Sequence, residues 1–255
     1  MSFCVICRDN EKSKEIKHKL LDKINDNYDE NNPDLVIAVG GDGTIIKAVH
    51  QYPNAVIFGV HTGHLGFYAK YNVDDLDILI NDINNKEYNV EEVELLSINA
   101  KDDSNVILNK AINEISIVSP LRAMVLDVYI DTELLEHYKG TGLCISTPAG
   151  STAFNKSLNG SIIESELKTI QLTEIAGINS NAYRTLSSPL VLNSNRVITL
   201  KSNNPINIFI TVDYLSYEIK NFKEMVIKYN GEIAKMAYHN KESFIERLKR
   251  TFLID

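Results

Sequence analysis

The chain has 255 residues, 44% of them hydrophobic and 24% charged, which excludes a disordered chain and is enough for one large domain or two smaller ones. A formal net charge of -8 argues against a general nucleic-acid binder, since phosphate-backbone affinity needs clustered Lys and Arg. No stretch is long and apolar enough to span a bilayer and the opening MSFCVICRDNEKSKE has no signal-peptide pattern, so a cytoplasmic enzyme or binding protein with neither membrane nor nucleic-acid partner is expected.

In chain order, residues 3–7 read as a short apolar strand, and residues 11–27 carry Ile16, Leu20, Leu21 and Ile24 at helical spacing with Lys and Glu on the other side. Asn31, Asn32 and Pro33 break the chain before a strand at 35–39; a glycine turn and a helix at 45–51 follow, ending near Pro53. A third strand is expected at 55–60 and an amphipathic helix at 73–83. This alternation predicts right-handed βαβ crossovers, a parallel sheet with helices on its faces, and ligand-binding loops at the carboxyl ends of the strands. The turn GGDGT at 40–44 and the segment HTGHLGF at 61–67 both follow strands and so belong on one edge. NDINNKEYN, at 81–89, reads as a linker. Beyond it, short β-branched runs at 97–100, 111–118, 125–130, 142–146, 197–200 and 206–212 predict a second, β-rich domain. The plan is an α/β domain over 1–94, a β-rich domain over 95–234, and a helical segment within 235–255 that packs back.

Cysteines at 4, 7 and 144 are an odd count, which speaks against a disulfide framework. Cys4 and Cys7 lie three apart on a strand and point to opposite faces, so they read as core residues rather than metal ligands. The six histidines show no ligand spacing, and the close pair His61 and His64 is assigned to loop structure or pocket shape.

The glycine turn carries the chemistry. A strand ending in GGDGT and opening a helix offers close backbone approach, free N–H groups and a helix N-terminus, which together suit a phosphate. It is neither a Walker A loop nor the G-x-G-x-x-G fingerprint. A carboxylate at Asp42 repels phosphates unless it holds a cation or faces a hydroxyl that will attack, so phosphoryl transfer uses it and a passive cradle does not. The plainer alternative is that Asp42 caps the helix while the glycines make a tight turn.

GGDGT resembles the signature of the kinase superfamily that holds NAD kinases and diacylglycerol-type lipid kinases. AINEIS at 111–116 resembles the Asn-Glu motif of the NAD kinase family, and GLCISTPAGSTAFNKSLNG at 142–160 closely resembles its long Thr-Pro-x-Gly-Ser-Thr-Ala-Tyr segment. RTLSSPL at 184–190 and TVDYLS at 211–216 fall where that family has related segments. The resemblance implies an α/β nucleotide-binding domain, a β-rich domain supplying much of the NAD site, and a C-terminal segment returning to the first. It implies transfer of the γ-phosphoryl of ATP to the 2′-hydroxyl of the adenosine ribose of NAD, with Mg²⁺ as the default divalent metal. By the same likeness Asp42 is the catalytic base, and Gly43 lies against the dinucleotide with Phe67 lining its pocket. Asn113 and Glu114 grip the adenosine, while Thr152, Ala153, Phe154, Asn155, Lys156 and Ser157 enclose it. Lys139, Thr141, Ala149, Ala176 and Tyr214 fall at further dinucleotide-contacting positions. A homo-oligomer, a tetramer built through the β-rich domain, is implied too.

Physics limits these roles. A loose phosphoryl-transfer transition state needs positioning and charge stabilisation, so Asp42 orients the hydroxyl and accepts its proton late. An ordinary carboxylate is a weak base towards an alcohol. Four positions depart from the family: Phe154 stands for Tyr, Thr141 for an Asp with Lys139 for the nearby Arg, and Tyr214 for a Gly. Two alternatives follow, a catalytically weak NAD(P)-binding regulator and a lipid kinase.

Overall fold

The computed structural model describes residues 1–63, 66–101 and 106–253. The chain forms two compact units, one of Met1–Val93 with Ile233–Asp255 and the other of Glu94–Glu232.

In the first unit β1 (Ser2–Cys7), β2 (Asn27–Tyr28), β3 (Leu35–Gly40), β4 (Val56–His61) and β5 (Tyr71–Asn72) alternate with α1 (Glu11–Lys23), α2 (Asp42–Gln51) and α3 (Leu76–Asn85). All pairings are parallel, in the order β2-β1-β3-β4, with β5 on β4 as well. Every residue of β3 is buried, the mark of a parallel strand covered on both faces. Leu20 from α1 and Leu79 and Ile83 from α3 close over Leu35, Ile37 and Phe58. Two boundaries differ from the sequence reading. The expected helix at 45–51 starts at Asp42, because the glycines adopt the entry to α2 rather than a separate turn. The expected linker at 81–89 is instead the last turn of α3, closed by Lys86 in the left-handed conformation (φ 60°) and followed at once by a strand.

The second unit is antiparallel. Its strands are β6 (Asn89–Lys101), β7 (Val106–Ala111), β8 (Glu114–Val118), β9 (Met124–Ile130), β10 (Glu133–Ser146), β11 (Thr169–Gly177), β12 (Leu190–Asn193), β13 (Ile198–Val212) and β14 (Leu215–Tyr238), with the single turn α4 (Phe154–Ser157) after β10. The chain leaves the first unit within β6 and returns within β14, whose Lys235, Met236 and Ala237 pair parallel with Val56, Ile57 and Phe58 of β4. The helix α5 (Phe244–Phe252) follows. In the second unit β12-β11-β10-β8-β13-β14 pair in that order, and β9 joins β10 to β13. The inward faces bury Ile115, Ile117, Leu126, Leu143, Ile145, Leu200, Ile210 and Phe222. The runs expected at 197–200 and 206–212 are one strand carried through an irregular register between Lys201 and Ile206. The run expected at 111–118 is broken at Ile112 and Asn113, and that break builds the site.

Candidate functional site

Gly40 ends β3 at its carboxyl end and α2 begins at Asp42; the Thr44 and Ile45 N–H groups donate to the Gly41 carbonyl, and the N–H groups of Asp42 and Gly43 at the very start of the helix are left to point out of the sheet edge. A side chain at Gly43 would meet nothing within 4 Å, so the backbone is open to a ligand here. The capping alternative for Asp42 does not hold. Gly41 is the N-cap and no side chain caps the helix; the Asp42 carboxylate instead accepts the Phe67 N–H at 2.8 Å on Oδ2 and the Tyr68 N–H at 3.0 Å on Oδ1. The segment after β4 is thus brought to Asp42, with Phe67 half-buried beside it. His61 donates to the Gly63 carbonyl oxygen at 3.2 Å, and burial pushes its pKa down; His64 lies outside the described residues.

In the second unit the break between β7 and β8 presents Asn113 and Glu114, both buried. The Asp213 carboxylate receives the N–H groups of Ile112 at 3.0 Å, Asn113 at 2.8 Å and Glu114 at 3.3 Å. Asp213 reaches them from the tight turn between β13 and β14, where it holds a left-handed φ of 52°. From the other side the Asn113 carbonyl accepts the Thr147 N–H at 2.9 Å, and the Thr147 hydroxyl donates to the Ile112 carbonyl at 2.6 Å. Gly150 lies so close that a Cβ would come within 2.0 Å of the Asn113 carbonyl oxygen, so only glycine fits. The Glu114 carboxyl accepts the Phe154 N–H, but Oε2 is buried with no hydrogen-bond partner among the described residues. Burial, and then the Asp213 charge, push its pKa up to about 8.

The other expected positions divide between two places in this unit. Ala149, Thr152 and Ala153 follow Thr147 around the Asn113 turn, and Tyr214 is exposed next to Asp213. Phe154 is 42% exposed, and Lys156 and Ser157 are exposed beside it on α4. Asn155 faces inward: it accepts the Thr173 hydroxyl at 2.7 Å and donates towards the Ser151 and Ser161 carbonyls, so it scaffolds the loop. Lys139 and Thr141 lie on β10, and Ala176, at φ 48°, lies on the adjacent β11. There the Lys139 carbonyl accepts the Ile178 N–H at 2.7 Å, and its ammonium sits 4.7 Å from the Tyr183 ring.

Sequence reasoning missed Asp213 and Thr147 as organisers of the Asn113 turn. Both sit in segments quoted for the resemblance, but the signal for their role, a contact across about a hundred residues for Asp213, is invisible in one sequence.

The chain is similar to known proteins along most of its length. The ATP-NAD kinase N-terminal domain family matches residues 5–88 and the ATP-NAD kinase C-terminal domain family matches residues 112–237. The chain is 40% identical over 234 residues to the NAD kinase of Geobacillus stearothermophilus, covering 89% of this chain and 86% of that one. It is 36% identical over 263 residues to the NAD kinase of Staphylococcus aureus strain JH9, covering 99% and 98%. In fold it is similar to yeast NADH kinase complexed with NADH, with a TM-score of 0.83 and 19% identity over 97% of this chain and 86% of that one. It is also similar to an NAD kinase from Archaeoglobus fulgidus in complex with ATP, with a TM-score of 0.75 and 21% identity over 98% and 96%. With both domain families matched in order and relatives alike over most of their length, the chain belongs to the NAD kinase family.

Proposed function

We infer that this protein is an NAD kinase, moving the γ-phosphoryl of ATP to the 2′-hydroxyl of the adenosine ribose of NAD. The observation that carries the reading is Glu114. It is a carboxyl 8% exposed, held by a fixed turn, with one buried oxygen lacking a partner among the described residues, as a site shaped for a donating hydroxyl pair requires. Asn113 offers its amide to the edge of adenine. Thr152, Ala153, Phe154, Lys156 and Ser157 enclose the adenosine over the scaffold made by Asn155, and Ala149 and Tyr214 line the dinucleotide beside the same turn. Lys139, Thr141 and Ala176 serve its nicotinamide half.

Residues 1–94 contribute Asp42, Gly43 and Phe67; residues 95–234 contribute the dinucleotide contacts; residues 235–255 return to the first part. Asp42 orients the 2′-hydroxyl and takes its proton late, while the open backbone at Gly43 and the N-terminus of α2 face phosphate. A divalent metal, Mg²⁺ by default, is taken to enter with ATP as part of that substrate and to neutralise phosphate charge. No described helix is long and apolar enough to cross a membrane. A homo-oligomer, most simply a tetramer, is proposed; Val106 and Leu108 on β7, 57% and 72% exposed, suit contact between copies. Light scattering on the purified protein tests it.

The test of function is a coupled assay for NADP from NAD, ATP and Mg²⁺ on the wild type and on Asp42→Asn. NADP from the wild type, nearly abolished in the variant, establishes the kinase. Binding of NAD by both with no NADP from either assigns the protein to dinucleotide binding without turnover, and activity on lipid vesicles but not on NAD assigns it to the lipid kinases.

A further inference from the structure

We propose that Gly66 and Phe252 are positioning residues for Asp42: the chain at 66–68 grips the carboxylate through its backbone, and the last residue of α5 braces that grip. The grip is two-handed, with the Phe67 and Tyr68 N–H groups each taking one carboxylate oxygen, at 2.8 Å and 3.0 Å. Each oxygen keeps a lone pair, so a held carboxylate can still accept a hydroxyl. What lets the chain arch over the carboxylate is Gly66. A Cβ there would stand 2.2 Å from Oδ1 and 2.3 Å from both Cγ and Oδ2, so any side chain would push Asp42 off its donors.

The downstream side of the grip is anchored by the sheet. Tyr68 and Ala69 are buried, the Lys70 N–H donates to the Gly59 carbonyl at 3.2 Å, and the buried Lys70 ammonium pairs with Glu91 at 3.0 Å. Phe67 is braced differently. Its ring lies 5.4 Å, centroid to centroid, from the ring of Phe252, tilted by 40°. Phe252 ends α5, a helix tied to the residues just before it. Ser243 and Glu246 form a reciprocal capping box at its start, and Arg250 makes a two-bond fork with Glu242, each bond 2.8 Å. The C-terminal helix thereby reaches the loop that aims the reactive carboxylate, from 210 residues away in the chain (252 less 42). A group displaced by about 1 Å can lose about a hundredfold in rate, so a brace of this kind reads out in turnover more than in binding.

The inference uses the kinase reading for one of its two tests. In steady-state assays Phe252→Ala lowers kcat about tenfold, with KM for NAD moving less than about threefold, and Phe252→Tyr, which keeps the ring, restores kcat. Gly66→Ala lowers kcat about a hundredfold while NAD still binds. The second test needs no turnover. Amide hydrogen exchange in the full chain should show Phe67 and Tyr68 protected in the wild type and in Phe252→Tyr, and clearly faster in Phe252→Ala. Unchanged exchange of these two amides in Phe252→Ala overturns the brace whatever the assay gives, and wild-type kcat in Gly66→Ala overturns the grip. A wild type that makes no NADP overturns the kinase reading alone, leaving the exchange result to decide this one. If Gly66→Ala does not fold, the Phe252 pair still decides the brace.

Discussion

Asp42 and Glu114 are both carboxyl groups fixed by backbone, and the fold treats them in opposite ways. Asp42 stands at the start of a helix with a donor on each oxygen. Glu114 is buried against a second carboxylate, accepts one N–H, and keeps an oxygen without a partner among the described residues. The first arrangement is satisfied before any ligand arrives and fixes where the group points. The second is left short of donors, so that a ligand bringing hydroxyls supplies what the fold withholds. A carboxylate that aims needs donors from the protein; one that recognises needs them from the ligand.

The hardest blow to this comparison is at Asp42. Asp42→Asn keeps the shape and removes the charge, and NADP formation should fall about 10²- to 10⁴-fold with NAD affinity nearly unchanged, read by the coupled assay and by titration calorimetry. Asp213→Ala strikes the other side by orphaning three N–H groups of the Asn113 turn. KM for NAD should rise about tenfold or more and stability should fall by about 1–3 kcal/mol, measured by urea unfolding. Wild-type KM with lowered stability would confine Asp213 to the fold.

Glu114→Gln sharpens the contrast through pH. The folded pKa of Glu114, about 8, lies above its ordinary 4.5, so its contribution to stability is full below pH 4.5 and is lost as pH rises through 8. Between pH 6 and 9 the wild type should lose about 2 kcal/mol more than the Gln variant in urea unfolding. NAD binding at pH 7 should release up to about one proton in the wild type and none in the variant, read by calorimetry in two buffers. No proton release in the wild type would mean that Glu114 stays protonated under the ligand. The smallest effect is expected at Phe154→Tyr: the ring is 42% exposed and a hydroxyl can project into solvent, so kcat and KM should stay within about twofold.

The first unit was largely legible because its helices and its longer strands alternate at distinct periods and those strands are mostly apolar, as in β3; the two-residue strands β2 and β5, with an Asn each, were missed. The second was less so. β14 places Lys or Glu at many exposed positions, and its 24 residues were missed as one element; β11 was missed as well. In β13 the stretch SNNP hid a strand that continues through an irregular register. The motif residues Asp42, Asn113 and Glu114 were visible as types and spacing. What holds them was not, because the Phe67, Tyr68 and Asp213 contacts join positions 25 to 101 residues apart, which local pattern does not encode.

The path of the chain also sets an order of assembly. Val56, Ile57 and Phe58 acquire their neighbours on one side of β4 only when Lys235, Met236 and Ala237 exist. During synthesis the α/β half therefore emerges first with its sheet incomplete, waits while the whole antiparallel half is made, and closes last. Contacts so distant along the chain form slowly, and the exposed edge of β4 is open to wrong partners in the interval. A chain released before about residue 235 would carry the complete glycine turn on an unfinished sheet, which makes such fragments candidates for clearance or aggregation rather than for partial activity.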